Sequence, residues 1–402
     1  MPNSPTISTS RFAAALSTLE DAHAAIDEVC SAALPQLGAA ADLAVLFVSG
    51  HHREEVEEIA RHACRAIGRE ALLGCTGESI VGGDREIEGE PAISLWLASL
   101  PGTTIRLMHL DFQSTPDGGS FTGWPADLAE PWPAGAAMLL LGEPFSFPAD
   151  ELVRRINEDH PGVPVLGGMA SGGAAPGENR LILGTREFQS GAVVAIIHGA
   201  IRISSVVSQG CRPIGEPFVV TRAETNIIYE LGGAPPLLRL KEMFKTLTER
   251  EQQLVRGGLH VGRVLNEYQD DFHRGDFLVR NVIGADPQTG AIAIGDYVRP
   301  GQTVQFHVRD EETADEDLRH LLAGATASSG TTKSRGALLF TCNGRGTRLF
   351  SSADHDARCI RQALGEVPLA GFFAQGEIGP VAGKNFLHGF TASVAIFEQA
   401  DK

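Results

Sequence analysis

Three times along the chain the same order of segments returns, and this recurrence limits the fold more than any other feature. A short apolar run comes first, then an amphipathic helix, a glycine-rich turn and a closing apolar run. The first pass is ADLAVLFVSG, EEVEEIARHACRAI, ALLGCTGESIVGG and PAISLWLASL, over residues 41 to 100. The second is AAMLLLGE (136 to 143), ADELVRRINEDH (149 to 160), VPVLGGMASGG (163 to 173) and GAVVAIIHG (191 to 199). The third is GALLFTCNGRG (336 to 346), DARCIRQALG (356 to 365), VPLAGFFAQGEIGP (367 to 380) and HGFTASVAIF (388 to 397). Apolar runs of strand length suit strands covered on both faces. In residues 54 to 67, Val56, Ile59, Ala63 and Ile67 share one helical face, with glutamates in the first turn where the helix dipole favours them. Internal duplication is the simplest explanation of the three passes.

The intervening material differs. Residues 1 to 10 read as a loose tail, and residues 14 to 37 as a helix through Leu19, Ala22, Ile26, Val29 and Ala33. Residues 203 to 231 read as a strand, a turn around Gly210 to Gly215 and a second strand. Residues 235 to 258 contain a helix opened by Pro235 and Pro236. Residues 276 to 298 form a hairpin with its turn at Asp286, Pro287 and Gly290. A helix at 314 to 322 precedes AGATASSGTTKSRG (323 to 336), a linker by composition. Helical connections together with hairpins require mixed sheets. The expected class is therefore α/β, or mixed α+β, with the repeated strand–helix–glycine turn–strand units forming two mixed sheets flanked by helices. A chain of 402 residues calls for two domains, and a composition change places the break near 225 to 236.

Composition removes several functions. A formal net charge of −17, with no basic cluster, disfavours nucleic acid and anionic lipid as partners. No apolar run reaches membrane-spanning length and the first residues lack a signal-peptide pattern, so a cytoplasmic protein is expected. The six cysteines stand singly, and the thirteen histidines form no HxH or HExxH pattern. Neither a metal site nor a cofactor is expected. There is no Walker or dinucleotide fingerprint.

What remains is the set of glycine turns, whose backbone can approach a ligand closely and present N–H groups to it. Cys342, Asn343, Gly344 and Arg345 in one turn, with Gln375 and Glu377 in the next, are the leading ligand-binding residues. Cys75, Glu78, Ser171, Cys211 and Arg212 stand behind them. An arginine could take a carboxylate in a two-point contact, and Glu78 or Glu377 could take an ammonium group. The competing readings are solvated loop glutamates and structural arginines. Cys342 beside Arg345 could be a nucleophile, a pocket-lining thiol or a packing cysteine, and no histidine stands in a position that identifies a base.

Taken together and in order, LGCTGESIVG, PVLGGMASGG, VSQGCRPIG, FTCNGRG and PLAGFFAQGEIGP, ending in HGFTASVAIF, resemble the FIST domain family over roughly residues 40 to 397. The resemblance implies a tail over 1 to 12, a FIST N-terminal part over 13 to 230 and a FIST C-terminal part over 231 to 402. It also implies a sensory, signal-transduction module that binds a small ligand, an α-amino acid being one candidate, and that passes the signal to a protein partner. No F-box, kinase, cyclase or methyl-accepting region is found beside it. The rival readings are a cysteine-dependent enzyme using Cys342 and a protein-interaction scaffold with no ligand.

Overall fold

The computed structural model describes residues 9–115, 118–128, 131–269, 271–272, 275–327 and 335–400. The chain divides into two compact units. The first takes in the chain up to Val207, Leu318–Leu387 and the residues from Thr391 onward; the second takes in Ser208–Asp317 and His388–Phe390. Residues 225 to 236, where the composition changes, lie inside the second.

The first repeat runs β1 (Arg11–Ser17), α1 (Ala22–Leu37), β2 (Leu43–Ser49), α2 (Val56–Ile67), β3 (Leu72–Gly77), the hairpin β4 (Ser79–Gly82) and β5 (Arg85–Glu88), and β6 (Ile93–Ser99). The second runs β7 (Thr103–Thr115), β8 (Gly118–Thr122), β9 (Ala137–Gly142), α3 (Ala149–Asp159), β10 (Val165–Met169), the hairpin β11 (Leu181–Leu183) and β12 (Arg186–Phe188), and β13 (Ala192–Gly199). β14 (Ile201–Gln209) opens the third repeat, which the second unit then interrupts in sequence. That unit holds β15 (Cys211–Glu224), β16 (Ile227–Leu231), α4 (Pro236–Phe244), α5 (Glu249–Gly257), β17 (Leu259–Val264), β18 (Phe277–Ala285), β19 (Ile292–Ile294) and β20 (Thr303–Arg309). Its six strands close into a barrel in the order β15-β16-β19-β18-β17-β20. The third repeat resumes through α6 (Glu311–Ala327) into β21 (Arg335–Cys342), α7 (His355–Leu364), β22 (Leu369–Ala374), the hairpin β23 (Glu377–Val381) and β24 (Lys384–His388), and β25 (Thr391–Gln399).

In each repeat the two strands joined by the helix are parallel, as β2 and β3, β9 and β10, and β21 and β22. The closing strand runs antiparallel to the first of them, as β6, β13 and β25 do. The hairpins do not stay at home. β4–β5 joins β22, β23–β24 joins β10, and β11–β12 joins β3, so each repeat completes the preceding one's sheet, the first completing the third's, in a closed cycle. One glycine per repeat makes the parallel pair possible. A Cβ on Gly74, Gly167 or Gly371 would lie 2.1, 1.8 or 2.0 Å from the carbonyl oxygen of Leu46, Leu140 or Leu339 on the adjacent strand.

The mixed α+β class is as expected, but the number of sheets is not. Among the described residues, the first unit has three sheets of six, seven and six strands, and the second has the barrel. The two-sheet expectation failed because hairpin exchange between repeats leaves no local trace in sequence. The inner faces of the three sheets meet in one core containing Phe47, Leu141, Phe340 and Phe372, with the Phe47 and Phe372 rings stacked at 5.1 Å.

Three local expectations are corrected. Residues 11 to 17 are an edge strand against β6, so the first helix starts at Ala22, where the Asp21 side chain accepts from the Ala24 N–H at 2.8 Å. Phe12 and Ala13, adjacent in this strand, pack into cores on opposite faces of the sheet. The supposed turn at 210 to 215 is strand, because Cys211 to Ile214 pair with β20; Gly215, at φ 63°, bends that strand where its register shifts. The helix expected at 314 to 322 runs from Glu311 to Ala327, into the expected linker, whose residues 328–334 lie outside the described ones.

Candidate functional site

Counting four residues on from each of the three equivalent glycines arrives at Glu78, Ser171 and Gln375. These are the residues just past the carboxyl ends of β3, β10 and β22, the side of a parallel sheet where ligands bind in open α/β folds. All three line one cavity of about 780 Å3, within the size range of small-molecule sites. Asn343, beyond the end of β21, and Gly50 and His51, beyond the end of β2, complete the ring, with Gly89 and Gly172 to Ala174 as further backbone walls. The first unit alone supplies every one of these residues.

The turns hold one another in place. The Glu78 N–H donates to Ser171 Oγ at 2.9 Å, and the Ser171 hydroxyl in turn donates to the Phe373 carbonyl. Ser171 and Gly172 N–H groups donate to the Thr76 carbonyl, Gln375 N–H to Met169 O, and Asn343 N–H to Ala374 O at 3.0 Å. With the backbone so committed, the groups left to face a ligand are side chains. The Glu78 carboxylate accepts from the Arg348 guanidinium, which also donates to the Asn343 carbonyl at 2.8 Å. This pairing raises the Arg348 pKa. Asn343 Oδ1 is buried and has no hydrogen-bond partner among the described residues.

Beneath the rim lies a buried charge cluster. Arg345, 0% exposed, donates through Nε and Nη2 to the two oxygens of Asp356, both at 2.7 Å. Burial opposes the charge on Arg345, and Asp356 outweighs it, so the arginine pKa is raised; burial likewise opposes the charge on Asp356, and Arg345 and His355 hold its carboxyl well below the ordinary range. Thr341 Oγ1 also donates to Asp356, at 2.7 Å. His355 is pulled two ways: burial lowers its pKa, while Asp356 and Cys359 raise it, to about 10 in total. Glu86 is pushed up to about 8 by burial and by the neighbouring Asp356. Burial takes Glu377 to about 8 as well, against hydrogen bonds from Thr391 N–H at 3.0 Å and Thr391 Oγ1 at 2.8 Å and a smaller contribution from Cys342.

Of the residues singled out from sequence, Glu78, Ser171, Asn343 and Gln375 therefore come together, and seven do not join them on the cavity wall. Arg345 is sequestered by Asp356, and Glu377 is buried with Thr391. Cys342 is half-buried, its sulfur accepting from the Gly344 N–H at 3.4 Å. Cys75 is buried in the central core, where desolvation pushes its thiol pKa well up. Cys211 is buried on the barrel, and Arg212, also there, pairs with Glu251 at 3.3 Å and Asp310 at 3.1 Å. Of the wall residues not singled out, Gly50 and His51 carried a usable signal, since both follow the carboxyl end of a recognised strand. Arg348, which reaches the site through its pair with Glu78, carried none: nothing in the spacing of GRGTR tells which arginine is buried.

No helix among the described residues is long and apolar enough to cross a membrane. The FIST N domain model matches residues 42–234 and the FIST C domain model residues 237–380. An uncharacterized protein of Mycobacterium tuberculosis is 46% identical over 388 residues, covering 96% of this chain and 99% of the relative. An uncharacterized protein of Mycobacterium bovis is 45% identical over 388 residues, covering 96% and 98%. FIST domains are associated with sensing in signal transduction. Two domain models in succession, with relatives alike over nearly their whole length, show that the chain belongs to the FIST family.

Proposed function

We propose that this protein is a sensory module whose first unit holds a small zwitterionic ligand, an α-amino acid, in the cavity at the strand ends. The observation that carries this reading is the convergence of Glu78, Ser171 and Gln375, one from the same position of each repeat, on one cavity. Glu78 takes the ligand's ammonium group, with Asn343 Oδ1 as a second acceptor. Arg348 takes the carboxylate, replacing Arg345 in the role that the sequence suggested.

The site already contains both charges, paired with each other. Their side chains are 57% and 37% exposed, and such solvent-exposed pairs contribute only about 0–1 kcal/mol. A ligand that offers one charge to each partner can therefore open the pair at little cost. An uncharged or singly charged ligand leaves one of them without compensation.

Thermal-shift and calorimetric titration of the full chain with the standard amino acids, and with the matching amines and 2-keto acids, tests the proposal. The expected result is stabilisation by one or a few amino acids, lost for both truncated analogues and weakened at least about tenfold in Glu78→Gln, as expected for a charge-assisted contact. Binding that Glu78→Gln leaves unchanged, or equal binding of an amine analogue, would overturn it.

A further inference from the structure

The outer faces of the three sheets are not covered alike. On the sheet of β2, α1 and α2 lie side by side over Leu46, Val48 and Leu95. On the sheet of β21, α6 and α7 do the same over Leu339, Val394 and Ile396. On the sheet of β9 there is α3 but, among the described residues, no helix between β7 and β9 in sequence. Phe121, Trp124, Leu128 and Trp132 take its place beside Leu152 and Ile156 of α3. Side chains from a strand end and a loop do not fill the volume of a helix, and a cavity of about 410 Å3 remains among them.

Two of the three tryptophans in the chain line this space, their rings 6.2 Å apart and tilted by 54°. The His160 imidazole, also in the wall, stacks on Trp132 at 4.2 Å. Arg155 and Asp159 bring opposite charges to the lining. Trp132 is 8% exposed, and its Nε1–H is buried with no acceptor among the described residues. A buried tryptophan N–H without a partner is uncommon and costs free energy. Trp96, by contrast, donates its N–H to the Pro368 carbonyl at 3.2 Å.

We propose that this cavity is a second ligand site, separate from the one at the strand ends, and that it takes a small, neutral, planar ring compound bearing a carbonyl oxygen. The ring meets the indoles, Leu128 and Ile156, and the oxygen accepts from Trp132 Nε1. Unlike Arg348 at the first site, Arg155 is held by Glu151 at 2.9 Å and by the Gly119 carbonyl at 2.8 Å, so it offers no free cation to an anionic or zwitterionic ligand, and a neutral one fits.

The test compares 1-tetralone with tetralin, which differ by a carbonyl oxygen, on the 15N-labelled full chain. The three indole N–H resonances are assigned with Trp132→Phe and Trp124→Phe. Saturable displacement of the Trp132 and Trp124 resonances by 1-tetralone, with Trp96 unmoved, is expected. Tetralin should bind about tenfold more weakly and leave the Trp132 N–H in place, as loss of one hydrogen bond implies. Trp132→Phe should weaken 1-tetralone about tenfold and leave tetralin unchanged, the same single bond being removed from the protein side. Ile156→Trp, which fills the cavity and keeps the Trp132 N–H, should abolish binding of both. The proposal is overturned if neither compound binds saturably at millimolar concentration, if the two bind equally, or if binding survives Ile156→Trp. Because Glu78 plays no part here, the outcome is independent of the amino-acid titration.

Discussion

Two arginines three residues apart, Arg345 and Arg348, each pair with a carboxylate, and their surroundings give the two pairs opposite roles. Arg345 and Asp356 are both buried, bonded in a fork, and surrounded by Thr341, His355 and Glu86. Glu78 lines the cavity, and Arg348 pairs with it from the solvent side. Removing one partner of a buried pair leaves an uncompensated charge in a medium that cannot solvate it, whereas water replaces the lost partner of an exposed pair. The lower pair thus acts as a rigid foundation under the turn, and the upper one as an exchangeable contact.

The largest expected effect tests the foundation. Arg345→Met should destabilise the protein by about 3–5 kcal/mol, the cost typical of stranding a buried charge, read as a shifted midpoint in urea unfolding. A change below 1 kcal/mol would show that Asp356 finds solvent, and the contrast between the two pairs would fail.

An intermediate effect comes from Glu377, beside this cluster. Its pKa in the folded protein is about 8, against an ordinary 4.5. The unfolded chain releases this proton through 4.5 while the folded one keeps it until about 8, so stability falls as pH rises across that window and levels off above it. Glu86, also at about 8, acts in the same direction, and the stability from protonated His355, complete below 6.5, is lost as pH rises through about 10. Below about pH 6.5 this decline is offset by His260 and His307, which burial lowers to about 4 and which therefore gain stability as pH rises towards 6.5, so melting temperatures should decline from about pH 6.5 to pH 9. Glu377→Gln, which can still accept from Thr391, should match the wild type near pH 5 and melt higher near pH 8. Parallel curves at all pH values would place the titrating group elsewhere.

The smallest expected effect belongs to the rim. Arg348→Met should change stability by less than about 1 kcal/mol and yet weaken the amino-acid ligand. A large loss of stability instead would make Arg348 part of the foundation.

The repeats show where sequence reading succeeds. Each parallel strand pair announces itself by an apolar run, a helix of period 3.6 and a glycine turn, all local properties of neighbouring residues. The glycines at 74, 167 and 371 put Glu78, Ser171 and Gln375 at matching places, and two of these turns stood out by composition alone. Residues whose role depends on distant partners were not legible. Arg345 attracted attention as a carboxylate ligand because Asp356, eleven positions on, gives no sign that the first turn of α7 brings it back beneath the turn. Cys211 and Arg212 looked like another glycine turn because β20, which pairs with them, is nearly a hundred residues away.

What the sequence determined by itself was the threefold repetition, the mixed α+β class and the strand ends at which a site could form, since these follow from side-chain periodicity and from where glycine is tolerated. The tertiary structure decided the exchange of hairpins that yields three sheets, the closure of the barrel, and which of two neighbouring arginines meets solvent. Each of these depends on pairing and burial between distant segments, and such pairing is set by the packing of the whole core.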